Sequence, residues 1–133
     1  MSDSQFESEC DRLSAVVDPA QFERLRWSRH EGPMLARLVA LVEAAIAERS
    51  DFEMTEEGAS RDEKRFILKV HGTRIVALVL MLDGDKAVVR AEAIERGRYA
   101  VEDGPIVTAD FAAVDAEWMN AALRELFGRI AKN

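Results

Sequence analysis

The sequence predicts an α+β fold: an antiparallel sheet of about four to five strands, preceded by N-terminal helices and covered by a C-terminal helix. Three observations carry this expectation. Apolar residues recur at helical spacing near both ends, they alternate or run continuously through residues 52–108, and turn residues such as Asp83-Gly84-Asp85 punctuate that middle stretch. At 133 residues and 48% hydrophobic content the chain matches a single domain, residues 1–133, able to bury a core without disulfides or metals.

Residues 1–31 read as a helical segment. Phe6, Cys10, Leu13 and Val17 share one helical face, with Glu7, Glu9, Asp11 and Arg12 opposite. Asp18-Pro19-Ala20-Gln21 then signals a second helix, because Asp caps free amides, Pro suits a first helical position and Gln closes a capping box. That helix should run from Pro19 to Arg29 and break at Gly32-Pro33. A third helix is expected over residues 33–50, with Leu35, Leu38, Val39, Val42 and Ile46 on its buried face.

The sheet begins at Phe52, where apolar and polar residues alternate through Glu56. Residues 57–64 are polar and read as a loop. Phe66, Leu68 and Val70 alternate with Ile67, Lys69 and His71 in a second strand that ends at a turn around Gly72. Residues 75–82 are apolar at every position, which predicts a central strand whose two faces, Ile75-Ala77-Val79-Met81 and Val76-Leu78-Leu80-Leu82, both need cover. Residues 86–96 follow a hairpin turn and read as a strand, although their Ala, Glu and Arg also suit a short helix ending at Gly97. Residues 99–101 and 106–108 read as a last short hairpin around Asp103-Gly104-Pro105. Trp118, Ala122, Leu126 and Ile130, with Met119, Leu123 and Phe127, predict a closing helix over residues 115–131 capped by Asp115.

Charge narrows the function classes. A net charge of -7 opposes nucleic acid and anionic membranes, which are bound by displacing counterions with Lys and Arg. The longest apolar run is far short of the roughly 20 residues of a membrane-spanning helix, and Met1-Ser2-Asp3 opens no basic-then-apolar leader, so a cytoplasmic chain is expected. The single Cys10 cannot form an internal disulfide.

No cofactor, metal or catalytic signature emerges. His30-Glu31-Gly32-Pro33 begins like a zinc-protease motif, but Met34 stands where the second histidine belongs. His71 has no partner at ligand spacing, Asp83 and Asp85 run straight into a strand, and the acidic neighbours Glu9 and Asp11 oppose a reactive thiolate at Cys10. The one basic cluster on this acidic chain comprises Arg24, Arg26, Arg29 and His30 around Trp27, with Arg37 beyond. It suits an acidic partner or a small anion; equally, its arginines suit pairing with the chain's own carboxylates. Trp118 and Met119 are candidate groove residues, or ordinary helix core.

The expected function is therefore a nonenzymatic protein-interaction module, adaptor or chaperone-like and homodimeric, with Arg26, Trp27, Arg29, His30, Trp118 and Met119 as candidate contacts. The alternative is a sensor or carrier of a small anionic metabolite, with a pocket between sheet and C-terminal helix and Arg26 or Arg29 at its mouth. A small enzyme with a site shared between subunits is a third reading.

Overall fold

The computed structural model describes residues 3–58, 60 and 62–133. Met1 and Ser2 of the expected N-terminus, and Ala59 and Arg61 of the expected polar loop, lie outside the described residues. The chain divides into two compact units, Met1–Met34 and Leu35–Asn133.

In the first unit, α1 (Asp3–Val17) and α2 (Pro19–Arg29) are joined through Asp18 alone. Asp18 is an extended N-cap whose carboxylate accepts from the Gln21 amide at 3.2 Å, and Pro19 occupies the first helical position, where no intrahelical donor is needed. The expected capping box does not close. The Asp18 amide bonds instead to the Ser14 carbonyl at 3.0 Å, while the Gln21 side chain accepts from Arg24. α3 (Glu31–Ile46) begins one residue after α2. Gly32 and Pro33, expected to separate two helices, lie in its first turn, because proline there forfeits only an amide that has no helical partner.

The second unit is a sheet with helices on one face. β1 (Phe52–Glu56), β2 (Glu63–Val70), β3 (Thr73–Asp83) and β4 (Lys86–Ala93) form an antiparallel meander, and β6 (Val107–Asp110) adds to β4, giving the order β1-β2-β3-β4-β6. β5 (Tyr99–Val101) pairs with β7 (Ile130–Lys132) in a separate two-stranded ribbon. A 3-10 turn at Phe111–Ala113 leads from β6 to α4 (Ala116–Phe127). The alternative of a helix at residues 86–96 is removed: β4 pairs with β3 along its whole length.

Two tight turns set the register. His71 and Gly72, with φ of 52° and 74°, link β2 to β3, and Gly84, with φ of 60°, opens the turn from β3 to β4. Positive φ at the centre of a two-residue hairpin matches strand twist, which is why these positions carry glycine or a residue that tolerates the left-handed region.

Cross-strand partners share a face, so the register sorts the core. Phe52, Val70; Leu68, Val76; Phe66, Leu78; and Leu80, Val89 are paired on one face. α4 covers this face, with Phe127 6.0 Å from Phe52 and Leu126 beside Val89. α3 lies along α4 in the same direction: the Arg37 guanidinium donates to the Val114 carbonyl at 3.3 Å, and Ile46 shares a cleft with Leu123 and Phe127. Leu35, Leu38 and Val42 of α3 and Met119, Ala122, Leu123 and Leu126 of α4 are buried.

The opposite face carries Ile67, Ala77 and Val79, all fully buried. Their cross-strand neighbours there include Arg65, Arg90 and Glu92. Arg90 reaches Glu92 at 2.8 Å, Glu63 at 3.5 Å and the Met81 sulfur at 3.1 Å, so an ion-paired layer spans β2 to β4 above a small apolar stripe. Long cationic side chains cover apolar surface with their stems while their heads stay wet.

Three further expectations are corrected. Ile75 belongs with Val76 rather than with Ala77: the β2–β3 register slips between Leu68 and Lys69, Ile75 has no β2 partner, and it lines a cavity on the helix-covered face beside Leu68 and Phe127. Residues 99–101 and 106–108 do not form a hairpin with each other; β5 pairs with β7 and β6 with β4. The closing helix stops at Phe127, and Ile130, placed on its apolar stripe by spacing alone, is a strand residue.

Asp115 caps α4 as expected, accepting from the Trp118 amide at 2.8 Å. Asp115→Ala should cost about 1 kcal/mol of stability, the usual loss for an N-cap carboxylate, read as a lower urea midpoint at unchanged slope.

Candidate functional site

The exposed apolar surface of the first unit follows from the pattern of α1. Helical spacing places Phe6, Cys10, Leu13 and Val17 on one side, and in the folded chain Phe6 is 66%, Leu13 53%, Val16 70% and Val17 82% exposed. Leu25 of α2 is exposed as well, and Cys10 is a free, exposed thiol. Neither α1 nor α2 contains a buried residue.

A cavity of about 210 Å³ lies between these two helices, lined by Glu7 and Asp11 of α1 and by Phe22, Leu25, Arg26, Arg29 and His30 from α2 and its C-cap. The antiparallel hairpin thus brings together three of the four candidate residues of the basic cluster. Two carboxylates face the same space, so its charge is mixed rather than cationic. Arg26 is already shared between Glu23 at 3.3 Å and Glu31 at 3.4 Å. The His30 amide donates to the Arg26 carbonyl at 3.0 Å, but the side chains of Arg29 and His30 have no hydrogen-bond or ion-pair partner among the described residues. Trp27 does not line the cavity; its ring lies under Gly32, where an added Cβ would come within 3.2 Å.

Trp118 and Met119 separate. Met119 is fully buried in the core, whereas Trp118 is half-buried on the outer side of α4. Sequence spacing gives both a place on the same helix but does not decide which one turns inward.

Two cavities lie in the second unit, and none of the six candidate contacts lines either of them. One of about 300 Å³ is apolar, lined by Phe52, Leu68, Val70, Ile75, Tyr99, Phe127 and Ile130 where the β5–β7 ribbon meets the sheet. The other, about 440 Å³, runs beside β4 and is bounded by residues 101–107, Leu126 and Arg129. Both depend on β5–β7, a pairing between residues some thirty positions apart that no local pattern announces.

Two exposed ion pairs shift their acids. Asp51 is held below its ordinary value mainly by the hydrogen bond from Arg49 at 2.7 Å, and Glu57 is held below its ordinary 4.5 mainly by the hydrogen bond from Arg74 at 2.7 Å. A carboxyl whose folded pKa is depressed adds stability above its unfolded pKa and loses it as pH falls through the folded one. Arg74→Gln should therefore raise the Glu57 midpoint in a carboxyl-carbon NMR titration back toward 4.5 and weaken the acid dependence of stability. Solvent screening keeps that contribution small.

Among the described residues, no group of three or more His, Cys, Asp or Glu is placed to hold a metal ion, and no helix is long and apolar enough to cross a membrane. No family model matches the chain, and no curated protein or solved structure matches it significantly.

Proposed function

We propose that the chain is a nonenzymatic protein-interaction module that self-associates through its N-terminal helical hairpin. The observation that carries this reading is the exposed stripe on α1. Phe6 and Leu13 are seven residues apart, as are Cys10 and Val17, giving the alternating four-and-three spacing with which paired helices form a seam. Two copies of an antiparallel hairpin supply the four helices of a bundle, and a two-fold contact uses the same apolar patch twice. A stripe this apolar on an otherwise acidic, polar helix is better explained by burial against a second copy than by solvent.

Sedimentation equilibrium of the full chain, alone and as Leu13→Asp/Val17→Asp, tests this. A dimer that becomes a monomer with its far-UV circular dichroism retained supports the proposal. A wild-type chain that is monomeric at about 100 μM, where even weak specific dimers populate, overturns it.

The carrier reading is favoured by the cavity of about 300 Å³ between the sheet and α4, a size at the low end of ligand sites. None of its lining residues is charged, so an apolar ligand suits it better than an anionic metabolite. Saturable fluorescence enhancement of an anilinonaphthalene dye, lost in Ile75→Glu, would favour that reading. No enhancement would remove it.

A further inference from the structure

β6 stops where the sequence prevents it from continuing. The β4–β6 register runs from Lys86↔Asp110 to Val89↔Val107, and extended by the same rule it would set Arg90 opposite Ile106 and then Ala91 opposite Pro105, the next hydrogen-bonded pair. Pro105 has no amide hydrogen to donate. Its carbonyl, the other half of that ladder pair, accepts instead from the Arg129 guanidinium at 2.8 Å. Residues 102–106 consequently leave the sheet.

The backbone of β4 beyond that point is left unpaired. The Asp85 carbonyl accepts from the Phe111 amide and the Ala87 carbonyl from the Thr108 hydroxyl, both at 2.8 Å. Residues of the same parity therefore direct their amides and carbonyls toward the β6 side. By that alternation Ala91 and Ala93 present theirs to the outer edge, and neither has a partner there among the described residues. The edge forms one wall of the groove of about 440 Å³, where Val101 and Ile106 offer apolar surface over the buried Val89 and Leu126; Ile106 is 78% exposed.

The charges at the rim are unequal. Arg90 is paired with Glu63 and Glu92, and Arg129 with Glu125. Glu102 and Asp103, both exposed at the mouth, have no ion-pair partner among the described residues.

We propose that this groove binds an extended basic peptide, which adds as a strand to Ala91 and Ala93, places an apolar side chain against Val101 and Ile106, and sets Lys or Arg against Glu102 and Asp103. Main-chain bonds to an open edge give such a site affinity, and alternate side chains give it selectivity. The free edge accounts for the strand, the apolar walls for one side chain, and the uncompensated carboxylates for the charge. The site lies in the Leu35–Asn133 unit and is independent of the self-association proposed for α1.

The probe is the synthetic peptide acetyl-Lys-Val-Thr-Val-Lys-amide, titrated into the full-length ¹⁵N-labelled chain, with Glu replacing both Lys in a second peptide. Saturable movement of the Ala91 and Ala93 amide resonances with the Lys peptide is expected. The Glu peptide, and the Lys peptide with Glu102→Lys/Asp103→Lys, should bind at least roughly tenfold more weakly. Both substituted side chains are exposed, so the variant leaves the core intact. Absence of saturable movement up to about 2 mM Lys peptide overturns the proposal, as does movement confined to other residues or equal response to the two peptides.

Discussion

Leu78→Ala should lower the unfolding free energy by about 2–5 kcal/mol, a large share of the 5–15 kcal/mol typical of a domain. Leu78 sits in β3, the middle of the five strands, and is fully buried. It is paired with Phe66 on one side and Ala91 on the other, beneath the helix layer. Truncation removes three carbons from a region whose neighbours are held by two strand ladders, so the surroundings can collapse only partly and a cavity term adds to the transfer term. Leu82, on the same face of the same strand but only half-buried near the hairpin, provides the comparison. Leu82→Ala should cost less than half as much. Urea unfolding followed by Trp118 fluorescence in a Trp27→Phe background reads both variants from α4 itself. Equal costs at the two positions would refute the placement of Leu78 at the centre of the core.

The parts of the fold legible in the sequence are those with a local signal. The Asp18-Pro19 and Asp115 caps are written in single residues, and the starts of α2 and α4 follow from them. The meander β1 to β4 follows from period-two alternation and from glycines that can take positive φ. Continuous apolar character over residues 75–82 marks β3 as central, but it conceals the bulge: when every residue is apolar, a one-residue slip leaves no trace in the pattern, and Ile75 changes face unseen. Its second buried face is met by a mechanism that hydrophobicity alone does not suggest, small residues at Ala77 and Val79 beneath charged neighbours on β2 and β4.

Legibility is lower for the candidate sites. The clustering of Arg26, Arg29 and His30 is visible as sequence, but the carboxylates that share their cavity, Glu7 and Asp11, come from another helix. The open edge of β4 was within reach of sequence reasoning only in part. Pro105 announces that some ladder must end, yet which strand loses its partner depends on the β4–β6 register and on Arg129 reaching back across 24 positions.

Ala131→Pro should be the second most damaging substitution, and Lys132→Pro, one residue on, should be nearly silent. The difference lies in strand parity. The Glu102 amide bonds to the Arg129 carbonyl and the Asn133 amide to the Arg98 carbonyl, both at 2.8 Å, so odd-numbered residues of β7 direct their backbone groups toward β5. Ala131, opposite Ala100, lies between those two bonds and supplies the ribbon's central donor, whereas the Lys132 amide points away. Proline at 131 removes that donor and leaves the Ala100 carbonyl without its partner, a loss of about 1–3 kcal/mol. Proline at 132 deletes only an outward-facing amide, which strand edges tolerate. Because the Ala100 and Glu102 amides are the β5 donors that face β7, Ala131→Pro should further raise amide exchange at Ala100 and Glu102, while the β2–β3 ladder stays protected. Had α4 continued through residue 131, as its apolar spacing predicts, the residue 131 amide would bond to the carbonyl of Phe127 and the Ala100 amide would be untouched. Exchange at Ala100 and Glu102 that is indifferent to Ala131→Pro would overturn the β5–β7 pairing.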